Sequence, residues 1–156
     1  METRSDKTPR EVAFHDALRK LARRERTTGE IREYLESREH PVDIIEETIA
    51  LLVQRRYLDD RRYAEAFTRL QGSREKGPTV IRQKLKAKGI LLGDSEISII
   101  VEAAQGKSDL ERAREIVEKR YPDFSTDLKV AQKAYLALVR RGFSYSIARE
   151  VVRKRS

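Results

Sequence analysis

The stretch that decides the fold runs from residue 57 to residue 90 and reads YLDDRRYAEAFTRLQGSREKGPTVIRQKLKAKGI. Asp59 or Asp60 can accept hydrogen bonds from the free N–H groups that open a helix, which predicts a helix after them. Gly77 is a tolerated cap residue, and Pro78 fits the first position of a second helix. The stretch is therefore predicted to be two helices joined by a short break.

The second of these helices is amphipathic and basic. Ile81 and Leu85 lie four residues apart and form an apolar stripe. Gly89 can adopt the left-handed conformation that ends a helix. No acidic residue separates the basic positions of the helix, which are Arg82, Lys84, Lys86 and Lys88. One face is predicted to join a core, and the rest is predicted to expose positive charge.

The same pattern recurs along the chain with a period of about fifty residues, which is typical of stacked supersecondary units. The corresponding apolar pairs are Ile31 and Leu35, Ile81 and Leu85, and Ala134 and Leu138. The glycine turn Gly89-Ile90 recurs as Gly142-Phe143, whereas Glu39-His40 holds this place in the first cycle. The alternative explanation is chance, because the matched positions are mostly generic apolar ones.

The predicted fold is all-α, an elongated and curved array of three tandem three-helix repeats. We expect about nine helices, because apolar residues recur at helical spacing and no strand pattern competes with them. Further helix starts are expected at Thr27, Ser108 and Ser144, and at Asp94 or Ser95. The expected divisions are a disordered tail at 1–9 and repeats at 10–57, 58–106 and 107–156.

The composition favours an anionic partner. The chain of 156 residues has 34 Lys and Arg against 26 Asp and Glu, a formal net charge of +8. Such a balance suits nucleic acid, an acidic protein surface or a phosphate-rich filament, although charge that only aids solubility is the alternative. The absence of cysteine is compatible with a reducing cytoplasm. No apolar run resembles a signal peptide or a membrane span, so we expect a cytoplasmic protein.

No catalytic constellation is visible, so we expect neither an enzyme nor a cofactor or metal. The only histidines are His15 and His40, and no cysteine accompanies them as a zinc ligand. Asp59 and Asp60 could be metal ligands, but helix capping explains one of them directly. The aromatic residues at positions expected in a core are Tyr57, Tyr63, Phe67 and Tyr135.

Several segments resemble the RecX family of recombination regulators. They are the helix start Thr28-Gly29-Glu30-Ile31, the segment from Leu58-Asp59-Asp60 to Phe67, and the Gly77-Pro78 helix start. The resemblance runs from about Phe14 to Val152 and is weakest in the last third. It implies tandem three-helix repeats and binding to the RecA recombinase, mainly to its filament on DNA.

The same resemblance implies a mode of action. Members of the family lie in the filament groove and oppose filament extension, ATP hydrolysis and strand exchange. Some members also bind DNA directly, so single- or double-stranded DNA is a second expected partner. We expect the chain itself to be a monomer.

The expected partner-binding surface is a set of three basic clusters: one at the first helix, one on the helix after Pro78, and one in the C-terminal stretch from Arg140 onward. Its members are Arg23, Arg24, Arg26, Arg82, Lys84, Lys86, Lys88, Arg140, Arg141, Arg149 and Arg153. A solvated surface without a partner is the alternative for any one of them. The alternative function is a stand-alone DNA-binding protein that uses a helix-turn-helix-like unit near Thr27 to Leu35.

Overall fold

The computed structural model describes residues 6–153, and it contains only helices there. The nine α-helices of this part are α1 Pro9–Leu21, α2 Thr28–Ser37, α3 Val42–Gln54, α4 Asp60–Ser73, α5 Pro78–Ala87, α6 Asp94–Ala104, α7 Asp109–Arg120, α8 Leu128–Arg141 and α9 Tyr145–Val152. The all-α prediction is confirmed. A 3₁₀ turn at Pro122–Ser125, which the sequence pattern did not predict, precedes α8. Most of the expected tail (1–5) and the basic end after Arg153 lie outside the described residues.

Contacts divide the chain into two compact units. The first consists of the residues up to Tyr63 together with Lys86–Leu92, and the second of Ala64–Leu85 together with the residues from Gly93 onward. In the first unit, α1, α2 and α3 pack on one another around a core that includes Ile31, Leu35 and Leu52. In the second, α7, α8 and α9 surround a core that includes Ala134 and Leu138.

The predicted repeat register is confirmed by burial. The six residues matched between the cycles, Ile31, Leu35, Ile81, Leu85, Ala134 and Leu138, are all 0% exposed. Each buried Ile or Leu stabilises the fold by roughly 1.5–3 kcal/mol. The prediction that Tyr57 is a core residue was wrong, because Tyr57 is 48% exposed, although its ring makes an edge-to-face contact with Phe14 at 6.3 Å between ring centroids.

Most predicted helix starts are confirmed by side-chain caps. The hydroxyls of Thr27, Ser108 and Ser144 accept hydrogen bonds from the N–H groups three residues later. The prediction for α6 was wrong, because its cap is Gly93, which offers no side-chain acceptor. The capping box of Thr8 and Glu11, which opens α1, was not predicted from the sequence.

The adjacent carboxylates Asp59 and Asp60 have different structural roles. Asp59 caps α4, since its Oδ1 accepts from the N–H of Arg62 at 3.0 Å. Asp60 accepts instead from Thr28 N–H at 2.9 Å and from Leu91 N–H at 2.7 Å. Its carboxylate therefore joins the start of α2 to the segment after α5, and both acids act on backbone N–H groups.

The start of α2 contacts the glycine turn after α5, backbone against backbone, within the first unit. The Gly29 N–H donates to the Gly89 carbonyl at 2.9 Å, and the Thr27 hydroxyl donates to the Lys88 carbonyl. A Cβ on Gly29 would lie 2.6 Å from the Gly89 Cα. Only two glycines allow this approach, and Gly89 also has a left-handed φ of +75°.

The second unit contains an equivalent contact between the start of α5 and the turn after α8. The Gly77 N–H donates to the Arg141 carbonyl at 2.6 Å, and the Thr79 N–H donates to the Gly142 carbonyl at 3.0 Å. A Cβ on Gly77 would overlap the Gly142 backbone, and one on Gly142 would lie 2.7 Å from a methyl of Val80. We call these two contacts the glycine junctions.

The first cycle keeps the left-handed turn without the glycine. Glu39 has a φ of +62°, close to the +75° of Gly89 at the corresponding place. The Glu39 side chain is exposed, so its Cβ is accommodated there. Gly89 and Gly142 carry the additional requirement of a close backbone neighbour, which explains why glycine stands at those two positions.

A second structural feature of the second unit is the cluster of cations around Glu75. The Glu75 carboxylate lies 2.5 Å from Arg120 Nε, 3.4 Å from Lys119 Nζ and 3.2 Å from Arg141 Nη1. Burial by itself raises the pKa of Glu75, but the hydrogen bonds from Arg120 and Lys119 and the charge of Arg141 lower the pKa below its ordinary 4.5. The ionised carboxylate therefore joins the turn after α4 to residues of α7 and α8.

We predict that Gly29→Ala lowers the free energy of unfolding by about 1–3 kcal/mol, because the new methyl group overlaps the Gly89 backbone. Gly93→Ala is the control, since a Cβ there meets only a Glu96 carboxylate oxygen at 3.9 Å. For Gly93→Ala, the free energy of unfolding should fall by less than about 1 kcal/mol. Urea unfolding measures both values, and equal losses would contradict the account of the junction.

We predict that Glu75→Gln lowers the free energy of unfolding by about 1–2 kcal/mol at neutral pH, because three cations lose the charged partner that they share. A lowered pKa stabilises the fold above the ordinary pKa of 4.5, and this contribution disappears as the pH falls through the folded value. The difference between the two proteins should therefore shrink below pH 4.5. Glu118→Gln, at an exposed position of α7, is the matched control and should change the free energy of unfolding at neutral pH by less than about 0.5 kcal/mol.

Candidate partner-binding surface

The predicted cations of the first repeat are partly neutralised within the fold. Arg24 and Arg26 both approach Glu30 Oε2, at 3.2 Å and 3.6 Å. The Arg26 side chain is only 13% exposed. Arg23, which follows α1 directly, is exposed. The structure therefore separates Arg23, which no such ion pair engages within the described residues, from Arg24 and Arg26, which share one carboxylate and keep one net positive charge between them.

Arg141 is compensated in the same way, because it pairs with Glu75 and is only 22% exposed. Its neighbour Arg140 is exposed. Of the two adjacent arginines, Arg140 is therefore the one that presents a cation on the surface of α8.

The helix α5 has no acidic residue along its length. The four predicted cations, three in α5 and Lys88 just after it, fall in different compact units. Arg82 and Lys84 belong to the second unit, where Lys84 Nζ donates to Gln71 Oε1 at 3.2 Å and Arg82 lies 3.4 Å from the Thr79 hydroxyl. Lys86 and Lys88 belong to the first unit. Lys84 and Lys86 are exposed, and Arg82 and Lys88 are half-buried.

The exposed side of α8 is a basic stripe that the sequence reading found only in part. Lys129, Lys133, Leu136 and Arg140 are spaced by four, three and four residues, so they share one face. All four are exposed, and Leu136 is 60% exposed. We call this set the α8 basic face. No acidic residue occurs in α8, and this absence together with the helical spacing was the signal that could have revealed Lys129 and Lys133.

The last helix adds two further cations of the predicted set. Arg149 and Arg153 are exposed, and with Ser146 and Glu150 they line an open cleft of about 460 Å³. Glu150 is the one acidic residue of this cleft. The second unit therefore carries two basic features, the α8 basic face and the cleft on α9.

The helix α2 has the opposite character, which bears on the helix-turn-helix alternative. It contains three glutamates, Glu30, Glu33 and Glu36, against one arginine. Its start is buried, since Thr27 and Thr28 are 0% and 2% exposed. A recognition helix places its N-terminal residues in the major groove among phosphates. An acidic helix with a buried start is poorly suited to that role.

The described residues contain no group of three or more His, Cys, Asp or Glu side chains that could hold a metal ion. His40, one of the two histidines considered as ligands, contacts the buried carboxylate of Asp16 at 2.8 Å. His15 is exposed on α1. Within residues 6–153, no helix is long and apolar enough to cross a membrane.

Models of the three RecX domains match the chain in order. Residues 13–52 match RecX, first three-helix domain; residues 59–90 match RecX, second three-helix domain; residues 107–152 match RecX, third three-helix domain. The second match ends before α6. The three matches follow one another along the chain, and the tandem arrangement of three-helix domains is thereby confirmed.

Similar proteins and solved structures agree with this assignment. The chain is 31% identical over 138 residues to Regulatory protein RecX from Bacillus cytotoxicus, and 32% identical over 139 residues to that of Bacillus velezensis. These matches cover 86% of this chain but 50% and 52% of the relatives, so the chain spans about half the length of the curated relatives it matches.

Two crystal structures share the fold. That of RecX from Lactobacillus salivarius gives a TM-score of 0.76 at 28% identity, covering 92% of this chain and 94% of that chain. A second structure, of regulatory protein RecX, gives a TM-score of 0.72 at 25% identity, covering 92% of this chain and 71% of that chain. The order of the domains, the repeat register and these similarities lead to one conclusion: the chain belongs to the RecX family.

Proposed function

We propose that this protein is a regulator of the RecA recombinase that binds the RecA–DNA filament and opposes its extension, ATP hydrolysis and strand exchange. Membership of the RecX family supports the choice of partner. A site of action in the cytoplasm follows from that partner. The mode of action is occupancy of the filament, since no catalytic group is needed for a bound protein to obstruct its neighbours.

The α8 basic face is the observation that carries this proposal. Three exposed cations and one exposed leucine lie along one side of a helix without an acidic residue. Clustered cations attract an acidic or phosphate-lined surface, and an apolar side chain among them adds contact area once water is excluded. Such a face suits a groove of protein and nucleic acid better than it suits a small ligand.

The cations of α5 and α9 are proposed as additional contacts to the same partner. Arg82, Lys84 and Lys86 follow one another on an acid-free helix, and Arg149 and Arg153 line the cleft on α9. Arg24, Arg26 and Arg141 receive a smaller role, because each already forms an ion pair with Glu30 or Glu75 that partly compensates its charge.

Direct binding to DNA is the second candidate function, and the α8 basic face favours it as well. Its cations can pair with phosphates whether or not a recombinase covers the strand. The two candidates differ in their dependence on salt, because binding to phosphate alone releases counterions and weakens steeply as salt increases.

We predict that the double variant Lys129→Glu, Lys133→Glu raises the concentration needed to inhibit RecA's DNA-dependent ATP hydrolysis roughly tenfold, since two attractive charges become repulsive. Folding should survive because both side chains are exposed, and a glutamate in the first turn of α8 complements the helix dipole. Titration of ATP hydrolysis with each protein measures the effect.

The matched control is Arg69→Glu, Arg74→Glu, which changes the net charge equally at two exposed positions outside α8. It should inhibit nearly as well as the unaltered protein. An equal loss in both variants would assign the effect to net charge alone. Unchanged hydrolysis with stoichiometric unaltered protein would refute the proposed regulation of RecA.

We predict that the protein remains bound to RecA–DNA filaments at a salt concentration that releases it from naked single-stranded DNA. Protein–protein contacts add to phosphate contacts on the filament, and the former depend less on released counterions. Fluorescence anisotropy of the labelled protein, recorded over a series of salt concentrations with and without RecA on the same strand, measures binding to the filament and binding to naked DNA. Parallel loss of binding in the two series would favour the DNA-binding alternative.

A further inference from the structure

The first unit contains a small basic pocket that the proposed function does not use. Its volume is about 200 Å³, and its lining consists of Arg19, Lys20, Arg23, Tyr34 and Arg38. Four of these five residues are cationic and none is acidic. They come from the last turn of α1, the segment just after it, and α2 with its cap residue.

An internal network fixes two of the four cations. Asp16 is 1% exposed, and its carboxylate accepts from Arg19 Nη2 at 2.7 Å, from Arg38 Nε at 3.3 Å and from His40 Nε2 at 2.8 Å. Burial by itself raises the pKa of Asp16, but these hydrogen bonds and the charge of Arg38 lower it below 3.8. Asp16 is therefore anionic at neutral pH and holds both arginines from beneath.

The ring of Tyr34 holds a third cation. Lys20 Nζ lies 4.8 Å from the ring centroid, and Arg38 Cζ lies 6.0 Å from it. Contacts of this kind orient a cation without neutralising it. Arg23 is exposed and completes the lining. Four cations against the single carboxylate of Asp16 leave three positive charges around one small space.

We propose that this pocket binds a phosphate group, supplied either by free phosphate or by a nucleic-acid backbone. Guanidinium groups donate paired N–H bonds that match phosphate oxygens, and a lysine adds a point charge. The cations approach from α1, from the segment after it and from the end of α2. A tetrahedral phosphate offers oxygens in all these directions, whereas a carboxylate offers only two oxygens in one plane.

Helix-end electrostatics explain part of this arrangement but not all of it. Cations in the last turn of a helix complement the negative end of its dipole, and Arg19 and Lys20 occupy that place in α1. Arg23 lies beyond the helix. It also lacks the compensation that Glu30 gives Arg24 and Arg26. Arg23 is therefore the residue whose position the phosphate site explains best.

The test is an NMR titration of the full chain at constant ionic strength, with inorganic phosphate replacing chloride, and separately with a short single-stranded oligothymidylate. We expect the amides of the α1 end, of residue 23 and of the α2 end to shift in a saturable way. Arg23→Glu should weaken binding at least tenfold, since a charged hydrogen bond is lost and repulsion replaces it. Arg69→Glu, with the same change in charge, should bind as the unaltered protein does.

Two outcomes support the proposal and identify the source of the phosphate. Saturation by inorganic phosphate assigns the pocket to free phosphate. Saturation by the oligonucleotide alone assigns the pocket to a nucleic-acid backbone. In that case the affinity should fall with increasing salt, and Arg23→Glu should reduce the slope of log affinity against log salt concentration by about one. The proposal would be overturned if neither probe shifted these amides. It would also be overturned if oligoglutamate shifted them as much as the phosphate probes do, or if Arg69→Glu weakened binding as much as Arg23→Glu does. RecA is absent from the experiment, so its result does not depend on the proposed regulation.

Discussion

The contact on which the fold depends is the backbone-to-backbone approach of a helix start to a glycine turn. It occurs once in each unit, as Gly29 on Gly89 and as Gly77 on Gly142. The first N–H groups of a helix have no partner within the helix, and the last carbonyls have none either. Each junction pairs N–H groups at a helix start with carbonyls at or just after the end of another helix, so that a buried helix start is satisfied by the turn of the next repeat rather than by water.

This constraint determines which side chains remain for a partner. The starts of α2 and α5 are occupied by their junctions, so these helices present their sides rather than their ends. One side of each carries the buried pair of the repeat register. The other side is acidic in α2, whereas α5 and α8 have no acidic residue. A common backbone plan thus carries different charges in successive repeats, and the proposed binding to a filament rests on that difference.

The sequence predicted the helices and their register well, because apolar spacing, caps and glycine turns are local signals. It could not predict the partners of Asp60, which accepts from Thr28 and Leu91 far away in the chain. For the same reason it counted Arg24, Arg26 and Arg141 as open cations, although each forms an ion pair with Glu30 or Glu75 in the fold. It also missed Lys129 and Lys133, whose acid-free helix was visible in the sequence.

Amide hydrogen exchange at the junctions tests the central claim most directly. The amides of Gly29, Gly77 and Thr79 stand at helix starts, where exchange is ordinarily fast, yet each donates to a carbonyl of another repeat. The account predicts that they exchange slowly, at the rates of the core amides of Ile31 and Leu85. The first-turn amides of α6, whose cap Gly93 offers no side-chain acceptor, should exchange fast. Exchange at Gly29 and Thr79 as fast as in α6 would contradict the claim that the glycine junctions join the repeats.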